Sequence, residues 1–384
     1  MESYLDNSST TKPSQGVVDI MMQTLTVDYG NPSAMHMKGV DAEGYIRAAR
    51  EQIAATMKCK PQEIIFTSGG TESNNMAIIG TALANRRRGR HIITTSIEHP
   101  SVSNVMKFLE GEGFEVTYLP TDSAGAVDLD AFKAAMREDT ILVSIMYVNN
   151  EIGAIEPVAE IGAYIKQVNP SCVFHVDAIQ AYGKILIRPK KSNIDLMSVS
   201  GHKIHGPKGT GFIYIREKTK INPIINGGGQ QDNMRSGTEN VPGISGLGQA
   251  AKEAYTDFDD KIARLYCLKH RLVDGLRAID DMVINGPEVD IGAPQIVSAS
   301  FRNIRSEVLL HALEERGVYI SAGSACSSHK RAPSASLVAI GVEKALLEST
   351  VRFSLSVYTT EAEIDYALEQ LRDVLEMYRK YTRH

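Results

Sequence analysis

The sequence predicts an α/β protein: a large domain built on a mostly parallel seven-stranded sheet, joined to a smaller α+β domain. Three observations predict it. Seven short runs rich in Ile, Val, Phe and Tyr fall in the first two thirds of the chain, the composition of strands. Helical stretches separate several of them, at the spacing of strand–helix–strand units that favours parallel pairing. Past residue 250 the texture changes to longer helices with fewer strands. At 384 residues the chain buries an ample core without disulfide staples.

In order, the strand candidates are 63–66, 91–96, 115–119, 140–148, 173–176, 196–199 and 211–215, each bounded by polar or glycine-bearing turns. Helices fit between them at 101–111, 130–137 and 158–168. The stretch 251–279 reads as one long charged amphipathic helix connecting two domains. Strands at 282–284, 296–301 and 350–357 then alternate with helices at 307–316 and 360–381. Thr360 and Glu363 form a capping box that opens the last helix. Residues 16–255 are assigned to the large domain, and 1–15 with 256–384 to the small one.

Composition excludes several functions. Lysine and arginine total 41 against 46 acids, a net charge of −5, which argues against a basic nucleic-acid binder or a polybasic membrane anchor. The run Arg86-Arg87-Arg88-Gly89-Arg90 reads as a solvated helix end, so no direct nucleic-acid partner is expected. The start, Met1-Glu2-Ser3-Tyr4-Leu5-Asp6, is no signal peptide, and no run of 18 apolar residues occurs; the expected location is the cytoplasm, without a membrane partner. The cysteines at 59, 172, 267 and 326 include no pair closer than 59 residues, so zinc motifs and a disulfide framework are not expected. No resident metal is assigned.

Ligands of open parallel sheets bind beyond the carboxyl ends of strands. After strand 63–66 comes Thr67-Ser68-Gly69-Gly70-Thr71-Glu72-Ser73-Asn74-Asn75, a small-residue turn into a helix and a candidate anion cradle. Other strands are followed by Glu98 and His99, by Asn149, Asn150 and Glu151, by Asp177 and Gln180, and by Ser200-Gly201-His202-Lys203. Each alone has a bland reading, such as a cap or a surface charge. Together they suit pyridoxal phosphate (PLP), which needs a Schiff-base lysine, an acid for its ring nitrogen, a donor to its phenolic oxygen and an anion site.

These residues resemble the NifS/IscS-type cysteine desulfurases of the class-V aminotransferase group, PLP enzymes of fold type I. The resemblance rests on Tyr4-Leu5-Asp6-Asn7-Ser8-Ser9-Thr10-Thr11, Gly30-Asn31-Pro32-Ser33, Glu98-His99, Val148-Asn149-Asn150-Glu151, His175-Val176-Asp177, Ser200-Gly201-His202-Lys203, Arg235-Ser236-Gly237-Thr238, Ser324-Ala325-Cys326 and Val351-Arg352-Phe353-Ser354. It implies that Lys203 holds PLP, Asp177 pairs with the pyridine nitrogen, and Asn150 and Gln180 bond the phenolic oxygen. By the same resemblance His99 stacks on the ring and transfers protons, and Gly70, Thr71, Ser200 and His202 hold the phosphate. Thr238 would reach the phosphate of a neighbouring subunit, making a homodimer. Arg352, helped by Asn31, would clamp the substrate carboxylate.

The implied reaction converts L-cysteine to L-alanine. Lys203 takes the Cα proton, the Cys326 thiolate attacks the substrate sulfur with His99 as proton acceptor, and a Cys326 persulfide forms for transfer to an acceptor protein. That acceptor would be an iron–sulfur scaffold or a tRNA- or cofactor-thiolation enzyme, and Cys326 could transiently ligate an iron–sulfur cluster. The small polar residues around Cys326 suggest an exposed mobile loop. Cys172 and Cys267 read as packing residues, while Lys58 and Lys60 would lower the pKa of Cys59. The sequence departs from the family at Gly70, where alanine is usual, and at Ile179, where alanine or threonine is usual. It also stops at Arg383-His384, which turns the expectation from a scaffold docked through a C-terminal tail toward the other acceptors. The alternatives are a selenocysteine lyase and another class-V aminotransferase-like enzyme.

Overall fold

A computed structural model of the chain describes residues 1–322 and 333–382. The first part runs β1 (Ser3–Tyr4), α1 (Gln15–Thr26), α2 (Met37–Met57), β2 (Ile64–Thr67), α3 (Gly70–Asn85), β3 (His91–Thr95), α4 (Pro100–Gly111) and β4 (Glu115–Leu119). It continues with α5 (Leu129–Ala135), β5 (Thr140–Met146), α6 (Val158–Val168), β6 (Val173–Asp177), β7 (Leu196–Ser200), β8 (Gly211–Ile215) and α7 (Val241–Tyr255). The remainder is α8 (Phe258–Arg277), β9 (Met282–Asn285), β10 (Ile296–Phe301), α9 (Ser306–Glu314), β11 (Val318–Tyr319), β12 (Ser321–Ala322), α10 (Ala335–Ala339), β13 (Thr350–Ser354) and α11 (Glu361–Thr382).

Seven strands form one sheet in the order β2-β8-β7-β6-β5-β3-β4. The run from β7 to β4 is parallel, and β8 is antiparallel to both its neighbours. Side chains alternate across the sheet as the pleat requires. Ile64, Phe66, Phe212 and Tyr214 enter one apolar core with α2, α6 and α7, while Ile65 and Ile213 enter another with α3 and α4. Both faces are therefore covered, as in a doubly wound sheet. A separate core gathers Leu265, Leu268, Leu272 and Leu276 of α8 with Phe301, Phe353 and Leu371 around the antiparallel sheet β12-β13-β10-β9. β1 pairs with β11 as a short parallel ribbon, and Leu5 belongs to this second core.

The long helix expected over 251–279 is two helices. α7 stops at Tyr255, and Asp257 takes a left-handed backbone (φ 50°) before α8 begins. The break redirects the chain from one core to the other: α7 buries Leu247, Ala250 and Ala251, whereas α8 buries its leucines beside β10. Tyr255 and Phe258 stack across the corner with ring centroids 5.1 Å apart. The capping box forms as expected: Thr360 N donates to Glu363 Oε2 (2.7 Å) and Glu363 N to Thr360 Oγ1 (3.2 Å). Among the described residues no helix is long and apolar enough to cross a membrane.

Candidate active site

The carboxyl ends of β2, β3, β5, β6 and β7 open on one cavity of about 460 Å³. Gly70, Thr71, His99, Asn150, Asp177, Gln180, Ser200, His202, Lys203 and Arg352 all line it. At its floor α3 begins directly after β2. Gly69 has φ 147°, a conformation open to glycine, and a Cβ on Gly211 of β8 would stand 2.8 Å from the Gly69 Cα. The two glycines bring β8 and this turn together, so the amino end of α3 faces the cavity beside Ser200 and His202.

Lys203 ends a short 3₁₀ turn, Gly201–Lys203, that continues from β7. Its Nζ donates to the carbonyls of Ser8 (2.5 Å) and Ser9 (2.8 Å), and Lys184 Nζ donates to the Lys203 carbonyl (2.6 Å). Burial, reinforced by the charge of Lys203, brings the Lys184 ammonium down to about 7. Gln180 Nε2 also donates to the Ser8 carbonyl (3.0 Å), so the N-terminal segment braces both residues.

Asp177 closes β6, buried, with one oxygen accepting from Ile179 N (3.0 Å) and the other from Asn74 Nδ2 (2.8 Å). Burial raises its pKa against the pull of these donors, His99 and Lys203. Asn74 Nδ2 also donates to Ser101 Oγ (2.9 Å), and Ser101 Oγ lies 2.8 Å from His99 Nδ1. The Ser101 backbone N–H donates to the same Nδ1 (3.1 Å), because His99 caps α4 ahead of Pro100. With Nδ1 accepting, the neutral imidazole carries its proton on Nε2. Burial lowers the His99 pKa, which favours that neutral form. In this structure His99 therefore presents an N–H at Nε2 to the cavity. Ser101, absent from the sequence reading of the site, sets this state, and Asn74, read there only as part of the anion cradle, donates to its hydroxyl.

Arg352 lies on β13 and reaches back into the cavity. Its Nη1 donates to the Asn150 carbonyl (2.7 Å), and its Nη2 to Asp6 Oδ1 (3.0 Å) and Ser9 Oγ (2.7 Å). Two further acids line the wall. Glu98 accepts from Thr95 Oγ1 (2.8 Å) and Met146 N (2.9 Å), and Glu151 from Ser334 Oγ (2.5 Å); burial raises both above the usual carboxylate range.

Not every expected residue converges. Asn31 sits on an exposed turn between α1 and α2, and Thr238 on an exposed loop before α7; neither lines the cavity of the single chain. Cys326 lies outside the described residues. Of the other cysteines, Cys172 is buried at the start of β6, but Cys267 is exposed on α8, contrary to a packing role: it falls on the face of the helix turned from the leucine core. Cys59 is half-buried, and burial with the charge of Glu63 raises its thiol to about 12, outweighing the pull of Lys190. Arg88 and Arg90 of the basic run donate to the carbonyls of Ser171 and Gly113, tying a helix end to its neighbours. Among the described residues no group of three or more His, Cys, Asp or Glu side chains is arranged to hold a metal ion.

The donor set fits PLP. Asp177 is a buried acid whose pKa is raised by burial, and a protonated ring nitrogen would give it a cationic partner. Lys203 would supply the amine, and the α3 amino end with Ser200 and His202, which line the cavity, could seat the phosphate. The class-V aminotransferase family model matches residues 3–367. The chain is 44% identical over 376 residues to the cysteine desulfurase IscS of Methanosarcina thermophila, covering 98% of this chain and 92% of that one. It is 46% identical over 374 residues to the cysteine desulfurase IscS of Klebsiella pneumoniae, covering 96% and 91%. A solved NifS-like protein superposes with a TM-score of 0.93 at 39% identity, covering 98% of this chain and all of the other. These likenesses over nearly its whole length show that the chain belongs to the class-V aminotransferase family, among its cysteine desulfurases.

Proposed function

We propose that this chain holds PLP through Lys203, takes sulfur from L-cysteine, and passes it from a Cys326 persulfide to an acceptor protein in the cytoplasm. The observation that carries the reading is the convergence of Lys203, Asp177, His99 and Arg352 on one cavity of about 460 Å³. When bound, PLP acts as an electron sink that makes the Cα proton of the substrate removable.

The remaining work falls to the chain's own residues. Arg352 holds the substrate carboxylate and so fixes the Cα–H direction. Lys203, released as an amine, takes that proton. Asp177, anchored by Asn74 and the Ile179 N–H, keeps the ring nitrogen protonated. Asn150 and Gln180 would face the phenolic oxygen, and Gly70, Thr71, Ser200 and His202 the phosphate. His99 would cover the ring and donate from Nε2. The Cys326 thiolate would attack the substrate sulfur and break its bond to Cβ, the pair staying with the substrate, whose Cβ takes a proton to leave alanine.

The acceptor is proposed to be an iron–sulfur scaffold or a tRNA-thiolation enzyme, and the working form a homodimer. Five large apolar side chains within sixteen residues, Met22, Leu25, Tyr29, Met35 and Met37, stand 52% to 103% exposed around the α1–α2 connection, the signature of a covered face. Thr238, exposed in the single chain, is free to complete a neighbour's phosphate seat in such a dimer.

Sulfide release from L-cysteine with dithiothreitol tests the chemistry. Native protein should be yellow and active. Lys203→Ala should be colourless and inactive, and Cys326→Ala should bind L-cysteine yet release almost no sulfide. Full release by Cys326→Ala would remove the persulfide step. Mass spectrometry of a trapped persulfide against a panel of acceptors then identifies the partner.

A further inference from the structure

We infer that Asp6 is a resident competitor for the substrate carboxylate: it occupies Arg352 until the substrate displaces it, and so sets the affinity of the carboxylate subsite. The inference rests on the reading of Arg352 as the substrate clamp and deepens it.

A guanidinium has five N–H donors and two edges that can grip a carboxylate with two parallel bonds. One edge joins Nε to Nη2, the other Nη1 to Nη2, so each needs one of the two Nη2 protons. In this chain Asp6 Oδ1 (3.0 Å) and Ser9 Oγ (2.7 Å) take both. Nη1 gives one proton to the Asn150 carbonyl (2.7 Å). Nε, although the side chain is nine-tenths buried against the cavity, has no partner. Arg352 is thus held in place while its Nε–H, shielded from solvent, and one Nη1–H are without a partner, and neither edge is complete.

A carboxylate arriving at the Nε–Nη2 edge satisfies the orphan Nε but needs a proton that Asp6 or Ser9 now takes. The local bonding makes the exchange inexpensive for Asp6. Ser9 Oγ donates to Asp6 Oδ1 (2.8 Å), so the displaced carboxylate keeps a partner. Its backbone cannot drift, because Asp6 bridges Ser354 at the end of β13, two residues from Arg352. The displacement is a side-chain rotation, after which Asp6 stays close to the incoming anion and opposes it. The same segment carries the Ser8 and Ser9 carbonyls that hold Lys203 Nζ, so the carboxylate clamp and the amine share one support.

The probe is 3-mercaptopropionate, which has the carboxylate and thiol of cysteine but no amino group and is not turned over. Its Kd is measured by calorimetry on the PLP-loaded protein, beside KM and kcat for L-cysteine. Asp6→Asn keeps the shape and removes the charge; it should lower the Kd and the KM together by about fivefold without raising kcat. Asp6→Ala removes the competing acceptor altogether, leaves Ser9 in place and should also lower the Kd, which keeps the test open should Asp6→Asn fold poorly. An unchanged or raised Kd in the folded variants overturns the competitor role. Arg352→Gln separates the two readings. Should it leave 3-mercaptopropionate binding intact, the clamp itself is misassigned. Should it abolish binding while Asp6→Asn does not tighten it, only the competitor role fails.

Discussion

Ile179 fills the space that a side chain on Gly70 would need: an ideal Cβ at position 70 stands 2.1 Å from Ile179 Cδ1 and 3.0 Å from its Cγ1. Both residues line the cavity, Gly70 at the first turn of α3 and Ile179 two residues after Asp177. They are also two positions that the resemblance marks as departures from the family's usual residues. The departures are one exchange of volume: a methyl lost from α3 is replaced by a branched chain from across the cavity.

The exchange predicts a specific non-additivity. Gly70→Ala drives the end of Ile179 toward the cavity, an overpacking worth about 1–3 kcal/mol. The Kd for PLP should therefore rise about tenfold, measured by titrating the apo-protein. Gly70→Ala with Ile179→Ala should recover most of the loss. Equal weakening in the single and double variants would mean that the two positions are independent.

Glu156 predicts a pH dependence of stability. One oxygen accepts from Val127 N (2.8 Å), the other is buried without a partner, and burial, then the charge of Asp122, raises its pKa to about 8. Unfolded, it titrates near 4.5, so between these values the folded chain keeps a proton the unfolded chain has lost. Its contribution is complete below pH 4.5 and disappears as pH rises through 8. Glu156→Gln should leave Tm little changed at pH 5 and raise it by several degrees at pH 9. His175, held by burial down to about 3, works in the opposite window: stability is lost as pH falls from 6.5 through 3. A Tm difference between Glu156→Gln and native protein that does not widen with pH contradicts the assignment.

What the sequence disclosed follows from how local its signals are. Strands 115–119 and 211–215 match their observed limits because apolar runs bounded by turns are complete within a few residues. Most cavity residues were legible because they stand at or just after strand ends, and parallel strands end on one side; Arg352, inside β13 of the other sheet, was legible only through the resemblance. The break at Asp257 was not read, although Thr256 and Asp257 precede two acids, Asp259 and Asp260, in a first helical turn: a start signal masked by continuous amphipathic character. The roles of Asn74 and Asp6 were missed for another reason. Asn74 meets Asp177 across 103 residues and Asp6 meets Arg352 across 346, pairings that no local window contains.

Asn74 supports the last prediction. It donates to Asp177 (2.8 Å) and to Ser101 (2.9 Å), and Ser101 meets His99 Nδ1 through both Oγ and the backbone N–H. The imidazole is consequently locked as the Nε2–H form, and protonating Nδ1 would set two donors against each other. Nitrogen-15 shifts of labelled histidine should report a neutral Nε2–H ring for His99 at pH 7. Ser101→Ala removes only the hydroxyl; the backbone N–H remains, so the tautomer should persist. Asn74→Ala strips Asp177 of one of its two hydrogen-bond donors, leaving the Ile179 N–H, and should weaken PLP binding by about tenfold, the cost of one bond to a charged group. Replacing Asn74 with Asp sets a second carboxylate against Asp177 and should weaken binding further while raising the His99 pKa. A native His99 found as the Nδ1–H form would show that the cap at α4 does not control the ring, and proton donation from Nε2 would then be lost with it.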